Sequence, residues 1–246
     1  MKTKIIILAA GKGTRMGSEL PKALVPLNNK PMIAYLAESV LAAALDERPI
    51  VVVSPENKDI IKESLALYDW DYAVQAEQLG TGHAVACARD FIPADTDNIV
   101  VLYCDHPFVK AESIRQFGLF PTEAVTIMPS LLGNYDGWHQ NFYHWGRIIR
   151  NNSGDVEKII EFKDASPAEI AVTEVNPGFM CFNSQWLWQN ISLLKNNNTQ
   201  KEYYLTALVE MAFQQGHKVG TIVIEPREAM GINSKEELAI AEGLVS

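Results

Sequence analysis

Over its first hundred residues the chain alternates between two rhythms. Short, continuous apolar runs recur: Ile5 to Ala10, Ile50 to Val53 and Ile99 to Tyr103. Runs of this length without polar interruption predict strands buried on both faces, here Lys4–Ala10, Arg48–Ser54, Asp71–Gln75 and Asn98–Tyr103. Between them apolar residues return at helical spacing. Met32, Tyr35, Leu36, Val40 and Ala43 mark a helix over Pro31–Leu45, with Pro31 suited to a first turn. Pro55–Tyr68 and Gly80–Phe91 read as two more. The alternation implies an α/β fold, a mostly parallel sheet with helices on both faces.

The rhythm changes in the second half. Ala124–Pro129, Trp145–Asn151, Val156–Phe162 and Val172–Asn183 are strand-like with no long helix between them. Trp186–Leu194 and Tyr203–Gln215 look helical, and Val219–Ile224 reads as a last strand. Ser234–Glu242 forms a final helix opened by Ser-Lys-Glu-Glu, near a capping-box pattern. With no proline- or serine-rich linker and no internal repeat, residues 1–246 read as a single domain with an α/β first half and a mixed second half.

Composition narrows the function classes. The chain has 246 residues, 48% apolar and 21% charged, with a net charge of −9 and no run of Lys or Arg. That balance argues against a nucleic-acid or anionic-membrane surface. No apolar stretch approaches bilayer length, and the short N-terminal apolar run reads as a strand and not as a signal peptide. Cys87, Cys104 and Cys181 are odd in number and widely spaced, which points to reduced thiols in a cytoplasmic protein. An acidic protein that binds phosphates has to gather its cations locally.

One stretch does that: Leu8-Ala-Ala-Gly-Lys-Gly-Thr-Arg-Met-Gly17, followed by Pro21-Lys-Ala-Leu24. Small residues let backbone N–H groups approach an anion, and Lys12, Arg15 and Lys22 supply charge. Two common nucleotide motifs fail here. The dinucleotide fingerprint needs a glycine where Met16 stands, and the P-loop needs Ser or Thr where Gly13 follows Lys12. On its own the loop is as well explained as a plain connector.

The wider pattern resembles the nucleotidyltransferases that make nucleotide sugars. Besides segments 8–16 and 21–24 it includes Gln75-Ala-Glu-Gln-Leu-Gly-Thr-Gly-His83, Leu102-Tyr-Cys-Asp105, Gly146-Arg-Ile-Ile-Arg150 and Ile160-Glu-Phe-Lys-Asp164. Asn176-Pro-Gly, Glu202-Tyr-Tyr-Leu-Thr206 and Gly231-Ile-Asn233 complete it. The chain is most similar to the pyrophosphorylase domain of bacterial bifunctional N-acetylglucosamine-1-phosphate uridylyltransferases. The resemblance implies a Rossmann-like mixed sheet, the nucleotide-diphospho-sugar transferase fold, with a nucleotide-binding first half and a sugar-binding second half. It implies transfer of a uridylyl group from UTP to a sugar 1-phosphate, with Mg2+ as cofactor and release of pyrophosphate.

Residue roles follow from the same resemblance. Arg15, with Lys12, would grip the β- and γ-phosphates, and Lys22 would offset charge between the sugar phosphate and the α-phosphate. Asp105 and Asn233 would hold the metal, as hard oxygen donors suit. Gln75, Gly80 and Thr81, with Leu8, Ala9, Ala10, Gly11 and Gly13 of the loop, would hold the nucleotide. Tyr103, Gly146, Glu161, Asn176, Tyr204 and Thr206 would hold the sugar. The five histidines show no ligand spacing and read as structural.

The chain departs from the family at four places. Cys104 stands where glycine is usual, and His106 replaces an apolar residue, placing a second titrating group beside Asp105. Ala207 replaces an aspartate. The segment Ser130–Trp145 is longer and richly aromatic: a lid, a subunit contact or a self-packed loop. Hexapeptide repeats are absent, so acetyl transfer is not expected and no oligomeric state is implied. The residues leave open another nucleotide or sugar phosphate, or a catalytically weak nucleotide-sugar-binding protein.

Overall fold

The structure, a computed structural model, describes residues 1–11, 13–119 and 124–244. Strand β1 (Thr3–Leu8) is followed by a small hairpin, β2 (Pro26–Leu27) and β3 (Lys30–Pro31), and by helix α1 (Met32–Ala43). Then β4 (Ile50–Val53), α2 (Lys58–Ser64), β5 (Asp71–Val74), α3 (Thr81–Cys87), β6 (Asn98–Tyr103) and α4 (Ala111–Leu119) alternate. In the second half β7 (Val125–Ile127), β8 (Ser130–Leu131), β9 (Gly146–Arg150) and β10 (Val156–Ile160) precede a single-turn α5 (Pro167–Ile170). The chain continues through β11 (Glu174–Asn176), β12 (Met180–Asn183), α6 (Ser184–Asn190), α7 (Ala207–Gln214), β13 (Gly220–Thr221), α8 (Pro226–Ala229) and α9 (Lys235–Leu244).

A seven-stranded sheet in the order β13-β7-β12-β6-β1-β4-β5 organises the molecule. β1 is central, with Ile6 opposite Ile50 on one side and Val101 on the other, all parallel. Only β12 runs against its neighbours β6 and β7. The apolar runs are continuous because both faces of the sheet are covered. Ile5, Ile7 and Ala9 pack with Ile33, Leu36 and Val40 of α1 and Phe117 of α4. Ile6, Leu8 and Ala10 face Val85 of α3, Leu187 of α6 and Leu208 of α7. Each fully buried aliphatic side chain contributes about 1.5–3 kcal/mol before conformational entropy is counted. The mostly parallel mixed sheet implied by the pattern is the observed architecture.

Several boundaries move, each for a local reason. The strand expected over Val172–Asn183 is two strands in two sheets. Pro177-Gly178 breaks it, and Gly178 has φ +98. A side chain there would meet the Tyr103 ring at 2.6 Å, so the chain turns where only glycine fits. β11 joins the four-stranded antiparallel sheet β10-β9-β11-β8, while β12 enters the large sheet. The helix expected from Tyr203 starts at Ala207. Upstream, the backbone binds the turn at Gly80: Tyr203 N–H donates to Leu79 O at 2.8 Å, and Gly82 N–H to Tyr203 O at 2.8 Å.

The last expected strand shrinks to β13 plus one bridge between Ile224 and Ser130. α4 was not expected, because only Ile114 and Phe117 mark its buried side strongly. Its start is held from elsewhere: Lys110 N–H and the Ser113 hydroxyl both donate to the Glu228 carboxylate of α8, at 3.1 and 2.5 Å.

Candidate active site

The carboxyl ends of β1 and β6 open into a cleft, the usual place for a ligand in an open parallel sheet. Asp105 lies two residues past β6 and is buried. Its Oδ2 forms an ion pair with Lys22 Nζ, which also donates to Asn233 Oδ1 at 2.6 Å. Burial works against the charged form of Asp105, but the Lys22 ammonium outweighs it and holds the carboxyl below its ordinary range. Asn233 is fixed by its own N–H, which donates to the Glu237 carboxylate, while Ser234 Oγ accepts from Glu237 N–H at 3.2 Å. The near-capping box thus starts α9 and positions Asn233 together.

His106, the titrating group beside Asp105, is held toward its neutral form, with Nε2 3.8 Å from Asp105 Oδ1. Its Nδ1 lies 2.9 Å from Ala229 O. A carbonyl only accepts, so Nδ1 carries the proton, and burial lowers the ring's pKa. The neutral ring packs edge-on against Phe179 and Trp145, with centroids 4.7 and 5.5 Å apart. Gly231 leaves the room for it, since a side chain there would come within 2.8 Å of the ring. Cys104 is also a packing group, its thiol pushed up to about 12 by burial.

Two cavities flank Asp105 and Asn233. The first, about 310 Å³, is lined by Leu8, Ala10, Gly11, Lys22, Gln75, Gly80 and Thr81 among others. Gly80 has φ +114, and a Cβ on it would lie 2.7 Å from both the N and the O of Tyr203. Gln75 is buried, its Nε2 3.1 Å from Gly80 O and 3.1 Å from His83 Nδ1. His83 therefore serves to hold Gln75.

Three expected nucleotide contacts lie elsewhere. Ala9 faces the core; its N–H donates to Val52 O at 2.8 Å and its O accepts from Asn57 Nδ2 at 2.9 Å. Gly13 (φ +61) is packed against the Lys22 stem, where a Cβ would sit 2.5 Å from Lys22 Cβ. Arg15 is exposed and lines the other cavity, its Nη2 3.4 Å from Asn233 Oδ1. Lys12 lies outside the described residues.

The second cavity, about 280 Å³, takes in all six residues expected at the sugar end: Tyr103, Gly146, Glu161, Asn176, Tyr204 and Thr206. β9, β10 and β11 present three of them at or just past their ends. Glu161 Oε1 accepts from the Thr206 hydroxyl at 2.9 Å, and burial raises its pKa against that bond. Asn176 Oδ1 accepts from Gly178 N–H at 3.1 Å. A side chain at Gly146 would crowd Ile159 at 3.1 Å and lie 3.5 Å from Glu161 Oε2.

The aromatic segment is a self-packed wall of this cavity. A 3-10 stretch, Gly137–Phe142, buries Phe142 against Trp138 and Trp145, with ring centroids 5.6 and 4.7 Å apart. Arg147 of β9, fully buried, ties the segment down. Its guanidinium donates to the carbonyls of Tyr143 at 2.7 Å, Ile170 at 3.1 Å and Trp145, and lies over the Tyr135 ring at 4.8 Å. Most of its fixed N–H fork goes to backbone oxygens, which serve a buried charge in place of a carboxylate.

Several cavity residues escaped the sequence reading, four of them polar groups facing the cleft from segments of note. Glu202 lines both cavities and Gln78 the first, both inside segments already singled out. Asn141 and His144 line the second from the aromatic segment, where His144 also packs on Tyr143 and Phe162. Gln78 Nε2 and Asn141 Nδ2 are buried with no hydrogen-bond partner among the described residues. Their signal was polarity within otherwise apolar or glycine-rich surroundings.

Among the described residues no helix is long and apolar enough to cross a membrane. Residues 5–136 match the MobA-like NTP transferase domain. The chain is 38% identical over 250 residues to the "Bifunctional protein GlmU" of Clostridium novyi, covering 100% of this chain and 52% of that protein. It is 38% identical to the protein of the same name from Caldicellulosiruptor saccharolyticus, over 98% of this chain and 51% of that one. With the Desulfotalea psychrophila protein it shares 37%, over 97% of this chain and 69% of the relative. The chain thus spans about half the length of most of the curated relatives it matches. It belongs to the MobA-like NTP transferase family.

Proposed function

We propose that residues 1–246 work as one unit that transfers a uridylyl group from UTP to a sugar 1-phosphate, N-acetylglucosamine 1-phosphate first among them, in the cytoplasm. The observation that carries this reading is the pair of adjoining cavities that share Thr81, Tyr103, Asp105, Glu202 and Asn233. A nucleotide in one and a sugar in the other meet at those residues. A phosphate oxygen of the sugar phosphate attacks the α-phosphorus of UTP, and the bond to the β-phosphate breaks with pyrophosphate leaving. The sugar phosphate is already ionised near neutral pH, so the residues serve to align two anions and offset charge, not to remove a proton.

Gln75 supports the choice of uracil. Its amide N–H groups are engaged by Gly80 O and His83 Nδ1, which leaves Oε1 to accept from the uracil N3–H. Neutral cytosine has no hydrogen at that position, so it leaves a buried acceptor unpaired. Lys22 and Arg15 balance the phosphates, with Lys12 in the same loop. Glu161, Asn176 and Thr206 offer the sugar end acceptors and donors for hydroxyls and an acetamido group.

Asp105 and Asn233 fit a magnesium ion. Their oxygens converge on a single cation, the Lys22 ammonium, so both can reach one ion. When bound, Mg2+ supplies charge neutralisation on the phosphates, with phosphate oxygens and water completing its shell. The test is pyrophosphate release across a panel of nucleotides and sugar 1-phosphates, with and without magnesium. UTP with N-acetylglucosamine 1-phosphate is expected to turn over fastest and only with the metal. Binding of UDP-sugar without turnover for any pair would instead mark a binding protein. Asp105→Asn is expected to cut turnover by about a thousandfold or more while the fold survives.

A further inference from the structure

The Lys22 ammonium engages the same two oxygens, Asp105 Oδ2 and Asn233 Oδ1, that the proposed function assigns to the metal. We propose that Lys22 is a placeholder cation: in the nucleotide-free protein it claims the metal ligands, and it gives them up only when phosphates draw it away. The inference rests on the proposed metal site and adds an order of binding to it.

Three observations support it. First, Asp105 brings one formal charge and Asn233 none, so Lys22 cancels the whole charge of the donor pair. A divalent ion meeting the empty protein finds two oxygens already neutralised and a like charge against them. Second, the pair is secluded: the Lys22 and Asp105 side chains are 15% and 11% exposed, so water screens their attraction weakly. Third, the phosphate loop is in mechanical contact with the lysine. Gly13 packs directly on the Lys22 stem, leaving no room even for a Cβ. A loop that shifts to wrap a triphosphate has to move the lysine with it, and the phosphate oxygens then offer Nζ better partners than one carboxylate. Arg15, 3.4 Å from Asn233 Oδ1, can follow the same oxygens. The consequence is that the metal enters with the nucleotide, not ahead of it.

Mn2+ binding read by electron paramagnetic resonance tests this without any turnover. In nucleotide-free protein, Lys22→Met is expected to bind Mn2+ at least tenfold more tightly than the unaltered chain. Asp105→Asn added to that variant is expected to abolish the gain. Lys62→Met, which removes a lysine on α2 outside the cleft, is expected to leave Mn2+ affinity within twofold. Thermal unfolding of each variant shows whether it is folded. Equal Mn2+ affinity for Lys22→Met and the unaltered chain overturns the placeholder role, as does a gain that survives Asp105→Asn. A parallel titration with saturating UTP separates the two ideas. Tight Mn2+ binding with UTP, but no gain from Lys22→Met without it, overturns the placeholder alone. No Mn2+ binding by any variant, with or without UTP, overturns the metal site of the proposed function as well.

Discussion

The first cavity, proposed above for the nucleotide, is walled by strand ends and a glycine turn, whereas the second, proposed for the sugar, is walled by side chains from the small antiparallel sheet and the segments beside it. Leu8, Ala10, Gly11 and Gly80 bring backbone to the first cavity. Glu161, Asn176, Tyr204, Asn141 and His144 bring functional groups to the second. A backbone wall tolerates little change in shape but carries few groups that can be exchanged. A side-chain wall is the reverse.

The largest effect that tests this contrast is expected at Gly80. With φ +114 and Tyr203 N and O both 2.7 Å from a new Cβ, Gly80→Ala forces the 203–205 segment away. It should cost about 3 kcal/mol of stability and most nucleotide affinity, read by denaturant unfolding and UTP titration. Gly133→Ala, with nothing within 4 Å, should stay within about 0.5 kcal/mol. Equal behaviour of the two glycines would falsify the backbone-wall description.

Next comes the division of labour. Glu161→Gln should raise the KM for the sugar phosphate by about 10–100-fold, the worth of a charge-assisted hydrogen bond, with the UTP KM nearly unchanged. A matching loss for both substrates would mean the two ends are not separable.

The sugar end should also be the one that feels pH. Burial raises the Glu161 carboxyl, with the Thr206 hydroxyl opposing. A raised folded value means that the group's contribution to stability is full below the unfolded carboxyl range and is lost as pH rises through the folded value. Glu161→Gln should therefore gain Tm over the unaltered chain between about pH 4 and pH 7, since only the latter ionises a buried acid. Asn57→Ala offers the control, because its side-chain amide bonds the backbone, Ser54 N–H and Ala9 O: its Tm difference should be flat over that window. A flat difference for Glu161→Gln would show that the carboxyl is not held above its ordinary range.

The smallest effects belong to the two amides whose buried nitrogens have no partner among the described residues. Gln78→Ala should weaken UTP by about threefold and leave the sugar phosphate alone, and Asn141→Ala should do the converse. Calorimetric titration with each ligand separates them, and the same loss from both variants on both ligands would argue for general loosening.

The same contrast explains what could be read from the sequence. Buried parallel strands announce themselves as unbroken apolar runs, so β1, β4 and β6 and the helices beside them were legible, as was Asp105 past the end of β6. The short strands of the second sheet carry no such mark. One apolar stretch, 172–183, serves two sheets because Gly178 meets the Tyr103 ring, a contact no local pattern encodes. Tyr203 to Leu205 reads as helix locally but bonds to the Gly80 turn. Which nitrogen of His106 carries the proton depends on Ala229 O, more than a hundred residues away. The ammonium of Lys22 between Asp105 and Asn233 joins three distant segments, and only the fold brings them together.

A crystal structure with UDP-N-acetylglucosamine and magnesium bound tests the central claim most directly. The expected result is uracil against Gln75 and Gly80, the pyrophosphate beside Asp105 and Asn233, and the sugar ring against Gly146, Glu161 and Asn176. A sugar ring lying against Leu8–Gly11, or a uracil in the cavity of Glu161, would contradict it.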